Sequence, residues 1–546
     1  MTSAHRPAQR DTIFVLSVGA VLALITTLPY LLGAALSSQD MRFSGFLIGQ
    51  EDGYSYLCDM LQGYQGHWLF HLRYTSEPHG GGLFFLFYIL LGKLARLSGL
   101  SLILTFHVTR AVLIPVGLYA FYELACYLSP SRSARRAAVL LFAFGAGLGW
   151  LWAILGLPTT LGDMPVDLWS PDASFFLSSF TYPHLLLGQA LLFAFILFTL
   201  RYLDSGETGN ALWAILTGLA ASLVHPYKIP VIAVPLAIYG LWRAWTSHWS
   251  LVRLTSRLGI VCAPSAVYVL YAWRTFQTNP AFAEWQAQNL LYSPPVYLYV
   301  LGLGIPFLLP IAGLLWMKAS SGGQTQPPPQ YHPFVAVWFV VIPPLLYLPH
   351  PIQRRFIDGY QAAIVILAAG ALCVLYERLS RYSWRALALV LLTVTIPLSN
   401  LFLLTGATLA AATPREPVYR LVWEIDAANW FWHDDTEPVV LSSYLTGNVL
   451  PATSPVRSFL GHGSQTMHEA YKSHLVEAFF GTTQPDSWRE DLLRQYGIDY
   501  VYHGPREKAL GKFAPDRTTY LDLAYDNGAV QIYSVWTTAR SPMLLP

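Results

Sequence analysis

Residues 12–36 read TIFVLSVGAVLALITTLPYLLGAAL, a stretch without a charged side chain. A run of this length can cross the hydrocarbon core of a bilayer as one helix, which needs about 20 apolar residues. The run is also too long for the core of a signal peptide, and it lacks a convincing small-residue cleavage site. We therefore expect it to be retained as a membrane anchor.

Similar apolar runs recur along most of the chain, and charged residues are scarce. Hydrophobic residues make up 54% of the sequence and charged residues 12%, about half the charged share that is usual in soluble proteins. Together with the first run, these segments predict a polytopic α-helical membrane protein with about eleven transmembrane helices. The further runs lie near 103–127, 137–156, 182–200, 211–227, 229–246, 258–274, 296–317, 333–349, 359–376 and 386–406.

Basic residues at the ends of these runs predict the orientation of the chain. Positive residues favour cytoplasmic loops, so the cluster Arg132–Arg136 and the basic N-terminus with Arg6 place the N-terminus in the cytoplasm. A shorter apolar run, Gly82–Leu91, would reverse every later loop if it crossed. We therefore expect it to lie on the outer membrane surface as a helix, which leaves the C-terminus outside.

The character of the sequence changes after Ala411. We expect residues 1–411 to form the transmembrane domain, with a long first outer loop at 37–101, and residues 412–546 to form a small extracytoplasmic α/β domain. Predicted strands lie at Val439–Ser443, Val456–Leu460, Tyr500–His503, Tyr520–Tyr525 and Ala529–Val535, with a hairpin turn at Asp526–Gly528 and helices at His468–Phe480 and Ser487–Tyr496.

Charge and cysteine content exclude several other classes of protein. The net charge of +2 and the lack of a basic stripe argue against nucleic acid as a partner. The four cysteines are dispersed and three lie in apolar segments, which argues against a disulfide framework or a thiolate metal site.

The first outer loop carries a pair of adjacent acids, Glu51 and Asp52, in the stretch GQEDGYSYLCDMLQGYQGHWLFHLRYTSEPHGGG. A carboxylate near the outer headgroup plane could accept a proton from a hydroxyl nucleophile. The alternative is a solvated pair of loop carboxylates without a catalytic role.

The second outer loop contains three acids, Asp163, Asp167 and Asp172, and ends at His184 at the mouth of a helix. Loop acids can hold a divalent cation, but this spacing matches no known ligand pattern. Ordinary solvation of the three side chains is the favoured interpretation, and no residue is assigned as a metal ligand.

Several cations and histidines occur at other outer boundaries. His225 and Lys228 flank a proline break, although Lys228 could simply extend to the membrane surface. Arg354 and Arg355 lie outside against the positive-inside tendency, and their guanidinium groups could bind a phosphate or satisfy lipid headgroups or Asp358. In the outer domain, His462 of GHGSQT could face the membrane site, although a histidine in a turn is more often a surface residue.

Taken together, the chain resembles the GT-C class of membrane glycosyltransferases, which includes protein O-mannosyltransferases and lipid A aminoarabinose transferases. The resemblance rests on one span followed by a long outer loop with Glu51-Asp52 near its start. It rests also on EPHGGGLFFLFYILLGKLARLSGLS (77–101), which leads to TFHVTRAVLIPVGLYAFYELA (105–125) and is similar to the surface helix and next span of that class.

The resemblance implies an inverting transfer of a sugar from a polyprenyl-phosphate donor to an acceptor hydroxyl at the outer face, with membrane lipids as further partners and an unknown acceptor. It implies that Asp52 or Glu51 is the general base. Some members use a divalent cation held by spaced acids; here Glu-Asp replaces Asp-x-Asp, so a cofactor is left open. The substrate-binding residues expected are Arg354, Arg355, Lys228, His225, His184 and His462.

Two alternatives of a different kind remain. A secondary transporter would use buried ionisable groups, of which His107, Arg110 and Glu123 are candidates, but the sequence shows no internal repeat. A non-catalytic scaffold with an outer binding domain would tolerate substitution of the adjacent acids and of the arginine pair.

Overall fold

The computed structural model describes residues 9–247, 250–320, 331–379, 385–434 and 436–536; Arg6 of the basic N-terminus lies outside these ranges. The elements up to the last apolar segment are α1 (Gln9–Ala35), β1 (Met41–Phe43), α2 (Gln50–Gln65), α3 (Leu86–Ser98), α4 (Leu102–Leu128), α5 (Arg132–Phe144), α6 (Gly149–Ile154), α7 (Phe175–Thr181), α8 (Pro183–Ser205), α9 (Thr208–Val224), α10 (Lys228–Ser247), α11 (Leu251–Thr278), α12 (Pro280–Gln288), α13 (Val296–Ser320), α14 (Pro333–Leu345), α15 (Tyr360–Leu379), α16 (Arg385–Thr395) and α17 (Leu398–Ala412). The remaining elements are β2 (Tyr419–Leu421), α18 (Val422–Trp430), β3 (Val439–Leu441), α19 (Tyr444–Thr453), β4 (Arg457–Ser458), α20 (Glu469–Phe480), α21 (Asp486–Gln495), β5 (Tyr500–His503), α22 (Pro505–Leu510), β6 (Leu521–Asp526) and β7 (Gln531–Val535).

The protein is a polytopic helical membrane protein, as the hydropathy pattern predicts. In the described ranges, 8 helices are long and apolar enough to cross a bilayer. Three shorter apolar helices, Thr208–Val224, Val296–Ala312 and Pro333–Leu345, coincide with the other three predicted spans. The total of about eleven spans therefore stays a prediction, because these three are short for a bilayer crossing.

By packing, the chain divides into two compact units. The membrane unit comprises the described residues of Met1–Pro29, His107–Ala272 and Leu291–Leu409. The second, mixed unit comprises those of Tyr30–Phe106, Trp273–Leu290 and Ala410–Pro546. The boundary expected at residue 411 falls next to the last division, but the mixed unit also contains the first long loop and the segment around α12.

Helices in the membrane unit approach each other closely at glycine. A methyl group on Gly19 of α1 would lie 2.7 Å from Cα of Pro115 in α4, so only glycine allows this crossing. Aromatic rings fill the core nearby, where Phe142 stacks on Phe121 at 4.1 Å and on Phe175 at 4.6 Å between ring centroids.

Arg110, a candidate for a transport pathway, is fully buried and bound to fixed acceptors. Its guanidinium donates to the Ser179 carbonyl at 2.5 Å and to the hydroxyls of Thr26 and Thr27 at 3.3 and 3.2 Å. Because these acceptors belong to α1 and α7, Arg110 joins three helices, which explains its burial without a transport role.

The first long loop of the mixed unit is more helical than its sequence suggests. Glu51 and Asp52, expected in a loop, lie in the first turn of α2, and the helix expected at 82–91 is α3, shifted to Leu86–Ser98. The two helices touch at glycine: a methyl group on Gly92 would lie 1.7 Å from the Met60 carbonyl oxygen. A helical period is hidden in α2 because every residue from Gly53 to Gly63 is buried.

The C-terminal part of the mixed unit is the expected α/β domain. Its five-stranded sheet has the order β4-β3-β5-β7-β6, with β4, β3 and β5 parallel and β7 and β6 antiparallel. The predicted hairpin joins β6 to β7, where Gly528 takes a left-handed conformation with φ 87°. The sequence did not indicate α18, α19, α22 or the small sheet of β1 and β2.

Ion pairs attach the segment after α2 to the α/β domain. Arg73 donates to Glu437 at 2.5 Å, and the ring of His67 lies 3.2 Å from the same carboxylate. Burial alone would raise the pKa of Glu437, but the bond from His67 and the charge of Arg73 lower it to about 2. Glu437 also adopts an unfavourable left-handed conformation with φ 57°, which these partners help to hold.

We expect Glu437→Gln to remove part of the acid sensitivity of folding. Because the folded-state pKa is lowered, the Glu437 carboxylate stabilises the fold above its unfolded pKa of about 4.5, and this stability is lost as the pH falls toward 2. The variant should unfold about 1 to 2 kcal/mol more easily at pH 7, after allowance for solvent screening of a partly exposed pair. Unfolding in detergent, followed from pH 7 to pH 3, measures both effects. An unchanged dependence of the free energy of unfolding on pH would contradict the assignment, and Glu477→Gln at an exposed position of α20 is the control.

Candidate functional site

Two groups of polar residues stand out, one in each compact unit. The first, which we name the carboxylate site, is formed by Glu51, Asp52, Tyr444, His462 and Gly463 of the mixed unit. The second, which we name the cation cluster, is formed by His184, His225, Lys228, Arg354 and Arg355 of the membrane unit.

The acids of the carboxylate site begin helix α2. Gly49 precedes the helix in a left-handed conformation with φ 62°, and Glu51 and Asp52 form the first turn. The N-terminal end of a helix carries partial positive charge and unpaired N–H groups, which favour carboxylates at this position. The helix therefore holds both acids at one defined place.

The α/β domain supplies the other members of the site from the ends of two neighbouring strands. Strands β3 and β4 pair in parallel, with Val440 opposite Ser458. Tyr444 follows the end of β3, and His462 follows the end of β4. Because parallel strands end at the same edge of a sheet, the loops that follow them meet there, which is the usual binding edge of α/β domains.

Glu51 is held by two donors from these loops. The phenol of Tyr444 donates to Glu51 Oε1. The backbone N–H of Gly463 lies 3.3 Å from the same oxygen and 2.9 Å from the Tyr444 oxygen. Burial and the Glu51 carboxylate both raise the pKa of Tyr444, so its phenol stays protonated and remains a donor.

Asp52 faces a different partner. His462 Nε2 lies 3.5 Å from Asp52 Oδ1; the Asp52 side chain is 54% exposed and the His462 side chain only 11%. The imidazole packs against Tyr74, with 5.7 Å between ring centroids. His462 is therefore a buried partner of the acid, in contrast to the surface histidine that a turn usually contains.

In the cation cluster, Lys228 begins α10 and forms a buried ion pair with Asp358, each side chain being 1% exposed. The phenol of Tyr227 lies 3.4 Å from the same carboxylate oxygen. The rings of His184 and His225 are 5.0 Å apart between centroids. Asp358 thus neutralises Lys228 locally, and whether Lys228 also binds a substrate stays a prediction.

The two arginines of the cation cluster lie in the short 3-10 helix Gln353–Ile357 and are half-buried. The Arg354 guanidinium stacks over Trp169 at 4.4 Å from the ring centroid. Arg355 lies 3.5 Å from the Asp172 carboxylate. Arg354 is thus held on one face of its guanidinium and Arg355 at one terminal nitrogen, which fixes both groups as an anion site would need.

The three loop acids have separate partners. Asp163 accepts a bond from Thr160 at 2.6 Å, and Asp172 pairs with Arg355. Asp167 accepts the N–H groups of Gly147 and Gly149 at 3.0 and 3.2 Å, and burial raises its pKa to about 6. Asp167 and Asp172 are buried, unlike the solvated side chains expected, and the described ranges contain no group of three metal-ligating side chains.

The structure thus groups the predicted site residues into two sets. Asp52, Glu51 and His462 come together in the carboxylate site; the other five form the cation cluster. Sequence reasoning missed Tyr444, which carries no motif, and it mentioned Asp358 only as a neighbour of the arginines.

No protein-family model and no curated protein sequence matches this chain. Solved structures do match. The oligosaccharyltransferase AglB of Archaeoglobus fulgidus, in complex with an inhibitory peptide and a dolichol-phosphate, is 14% identical; the match covers 91% of this chain and 70% of AglB, with a TM-score of 0.53. The arabinofuranosyltransferase AftD from Mycobacteria is 14% identical, with a TM-score of 0.55; the match covers 98% of this chain but only 40% of AftD. These likenesses confirm the predicted GT-C fold.

We expect Lys228→Met to destabilise the protein more than the double variant in which Lys228 and Asp358 are both replaced by uncharged residues. The single variant leaves the Asp358 carboxylate buried without its cation, which costs about 3 to 5 kcal/mol, whereas Lys228→Met with Asp358→Asn leaves no charge. Unfolding in detergent compares the two, with Arg253→Gln at an exposed position of α11 as the control. A double variant that is less stable than the single variant would contradict this description.

Proposed function

We propose that this protein is a membrane glycosyltransferase that moves a sugar from a polyprenyl-phosphate donor to an acceptor hydroxyl at the extracytoplasmic face. The observation that carries the proposal is the pairing of Asp52 with His462 at the binding edge of the α/β domain. The fold shared with AglB and AftD, whose names describe transfer of sugars, supports the same class of reaction.

In this proposal Asp52 is the general base. Its carboxylate is exposed enough to meet an acceptor and removes the proton of the acceptor hydroxyl as the oxygen attacks the anomeric carbon. The new C–O bond forms as the bond from that carbon to the phosphate oxygen breaks, so the sugar inverts and polyprenyl phosphate leaves. The proton taken by Asp52 can pass to the neighbouring imidazole of His462.

Glu51 has a different role in the proposed reaction. Its Oε1 is bound by Tyr444 and Gly463, so it ties the start of α2 to the strand-end loops. Adjacent helix residues point about 100° apart, and two neighbouring acids can therefore serve two purposes. We assign Glu51 to positioning and Asp52 to proton transfer.

The cation cluster is proposed to bind the phosphate of the donor. Arg354 and Arg355 offer planar guanidinium groups that match phosphate oxygens and offset the negative charge that grows as the phosphate departs. The AglB structure contains a dolichol-phosphate, which supports a lipid phosphate as the ligand of this fold.

No step of the proposed sugar transfer uses a metal ion. The described part of the chain contains no group of three or more His, Cys, Asp or Glu side chains that could hold one. The two site acids are also engaged separately, Glu51 by Tyr444 and Asp52 by His462.

Replacement of the two acids should separate their roles. Asp52→Asn removes the base and should lower the turnover number about 100- to 10,000-fold. Glu51→Gln keeps an oxygen that can accept from Tyr444 and should cost only about 10-fold. Release of polyprenyl phosphate is measured in membranes with donors that carry labelled mannose, arabinofuranose or aminoarabinose. Asp40→Asn in the same loop is the control, and unchanged transfer in both acid variants would refute the assignment of the base.

Loss of the arginines should weaken donor binding selectively. Arg354→Gln and Arg355→Gln should each raise the KM for the donor by about 10-fold, since a hydrogen bond between charged groups contributes about 1.5 to 3 kcal/mol. The KM for the acceptor should change much less. Arg274→Gln, an exposed arginine at the end of α11, is the matched control. Equal increases for donor and acceptor would indicate a structural role instead.

A further inference from the structure

Helix α12 contacts the turn that carries His462. At its last residue, Gln288 Nε2 donates to the backbone carbonyl of Thr466 at 2.7 Å and lies 3.4 Å from that of Ser464. The amide oxygen of Gln288 accepts the backbone N–H of Glu469 at 3.2 Å. One side chain thus binds both the turn and the start of α20.

The other side of the same turn forms the carboxylate site. His462 begins it and faces Asp52, and Gly463 donates its N–H to Glu51. The carbonyl of His462 accepts the N–H groups of Gln465 and Thr466 at 3.1 and 3.0 Å, which closes the turn. A displacement of the turn would therefore move both contacts to the acids at once.

The turn is closed from within by Thr466, whose hydroxyl accepts the N–H of Gly461 at 3.2 Å. Helix α12 holds it from outside. His468, which ends the segment, has the unfavourable left-handed conformation with φ 54°. Its ring lies 3.4 Å from Glu284, one helical turn before Gln288, so α12 binds the segment at two places.

We infer that Gln288 is a positioning residue for the sugar transfer proposed above, acting through the turn 462–466 on the pairing of His462 with Asp52. The inference rests on the proposed function. A primary amide suits this place because it donates to carbonyl groups at one atom and accepts an N–H at the other. A carboxylate would face the carbonyls without a proton to donate, and a thioether would make neither bond.

The test compares Gln288→Met with Gln286→Met, an exposed residue on the same helix. We expect Gln288→Met to lower kcat about 10- to 100-fold, because small displacements of catalytic groups have effects of this size, with less than about 2-fold change in donor KM. Gln286→Met should match the wild type. Equal kcat in the two variants, or a loss confined to KM, overturns the inference.

A double-mutant cycle shows whether Gln288 acts through His462. If it does, the loss of activity in the variant that combines Gln288→Met with His462→Gln is smaller than the product of the two single losses. Losses that multiply overturn the inference. The pH dependence of kcat gives a second comparison. Gln288→Met and His462→Gln should shift the acidic limb of this profile in the same direction, and opposite shifts overturn the inference.

Hydrogen exchange of the intact protein keeps the inference testable if the proposed function fails. Exchange of the backbone amides at 461–469, followed by mass spectrometry, should be at least about 10-fold faster in Gln288→Met than in Gln286→Met. If exchange is faster in Gln288→Met but the wild type transfers no sugar, the proposed glycosyltransferase activity is refuted and the anchoring of the turn by Gln288 is upheld. Unchanged exchange overturns the positioning role whether or not the wild type transfers sugar.

Discussion

Two ion pairs, one buried and the other partly exposed, hold the segment after α2 against the α/β domain, and the carboxylate site depends on them. Lys472 of α20 binds Glu77 at 2.7 Å, and Arg73 binds Glu437. Burial alone would raise the pKa of Glu77, but the Lys472 ammonium lowers it, whereas burial lowers the pKa of Lys472 itself. Between these anchors lies Tyr74, which packs on His462 and accepts the Thr466 hydroxyl at 2.8 Å through its carbonyl. Charges that are removed from water must keep their partners, so this segment has one position against the domain.

Hydropathy predicted the membrane part well because a bilayer imposes one length and one polarity on every span. Hydropathy did not predict α2, because this helix is buried on all sides and has no polar face. Even Asp59 is buried there, and burial raises the pKa of its carboxyl. Strands β3 and β5 and the hairpin were predicted within one or two residues, since alternation and Asp-Asn-Gly are local signals. Helices α18 and α19 were missed because they are short and their packing against the sheet decides them.

The candidate site was predictable residue by residue only where charge stood in an unusual place. The charged pairs Glu51-Asp52 and Arg354-Arg355 are conspicuous in an apolar sequence. Tyr444 is one of 32 tyrosines, and nothing in the sequence distinguishes it from the others. Tyr444 and His462 become neighbours only through the parallel pairing of β3 and β4, a long-range contact that single-sequence patterns do not contain. The same strand pairing explains why His462 is buried, although the sequence predicted a surface histidine.

The charge of the cation cluster suits a ligand with negative charge. Lys228, Arg354 and Arg355 supply three positive charges, and Asp172 and Asp358 supply two negative ones, which leaves one positive charge if the histidines are neutral. Asp358 and Lys228 are both buried and neutralise each other, so the excess resides with the half-buried arginines. Trp169 packs against the face of the Arg354 guanidinium, 4.4 Å from the ring centroid, and leaves the charge of Arg354 in place. A phosphate group bound at this helix, as we propose, would meet both half-buried arginines, Arg354 on the face of Trp169 and Arg355 beside Asp172.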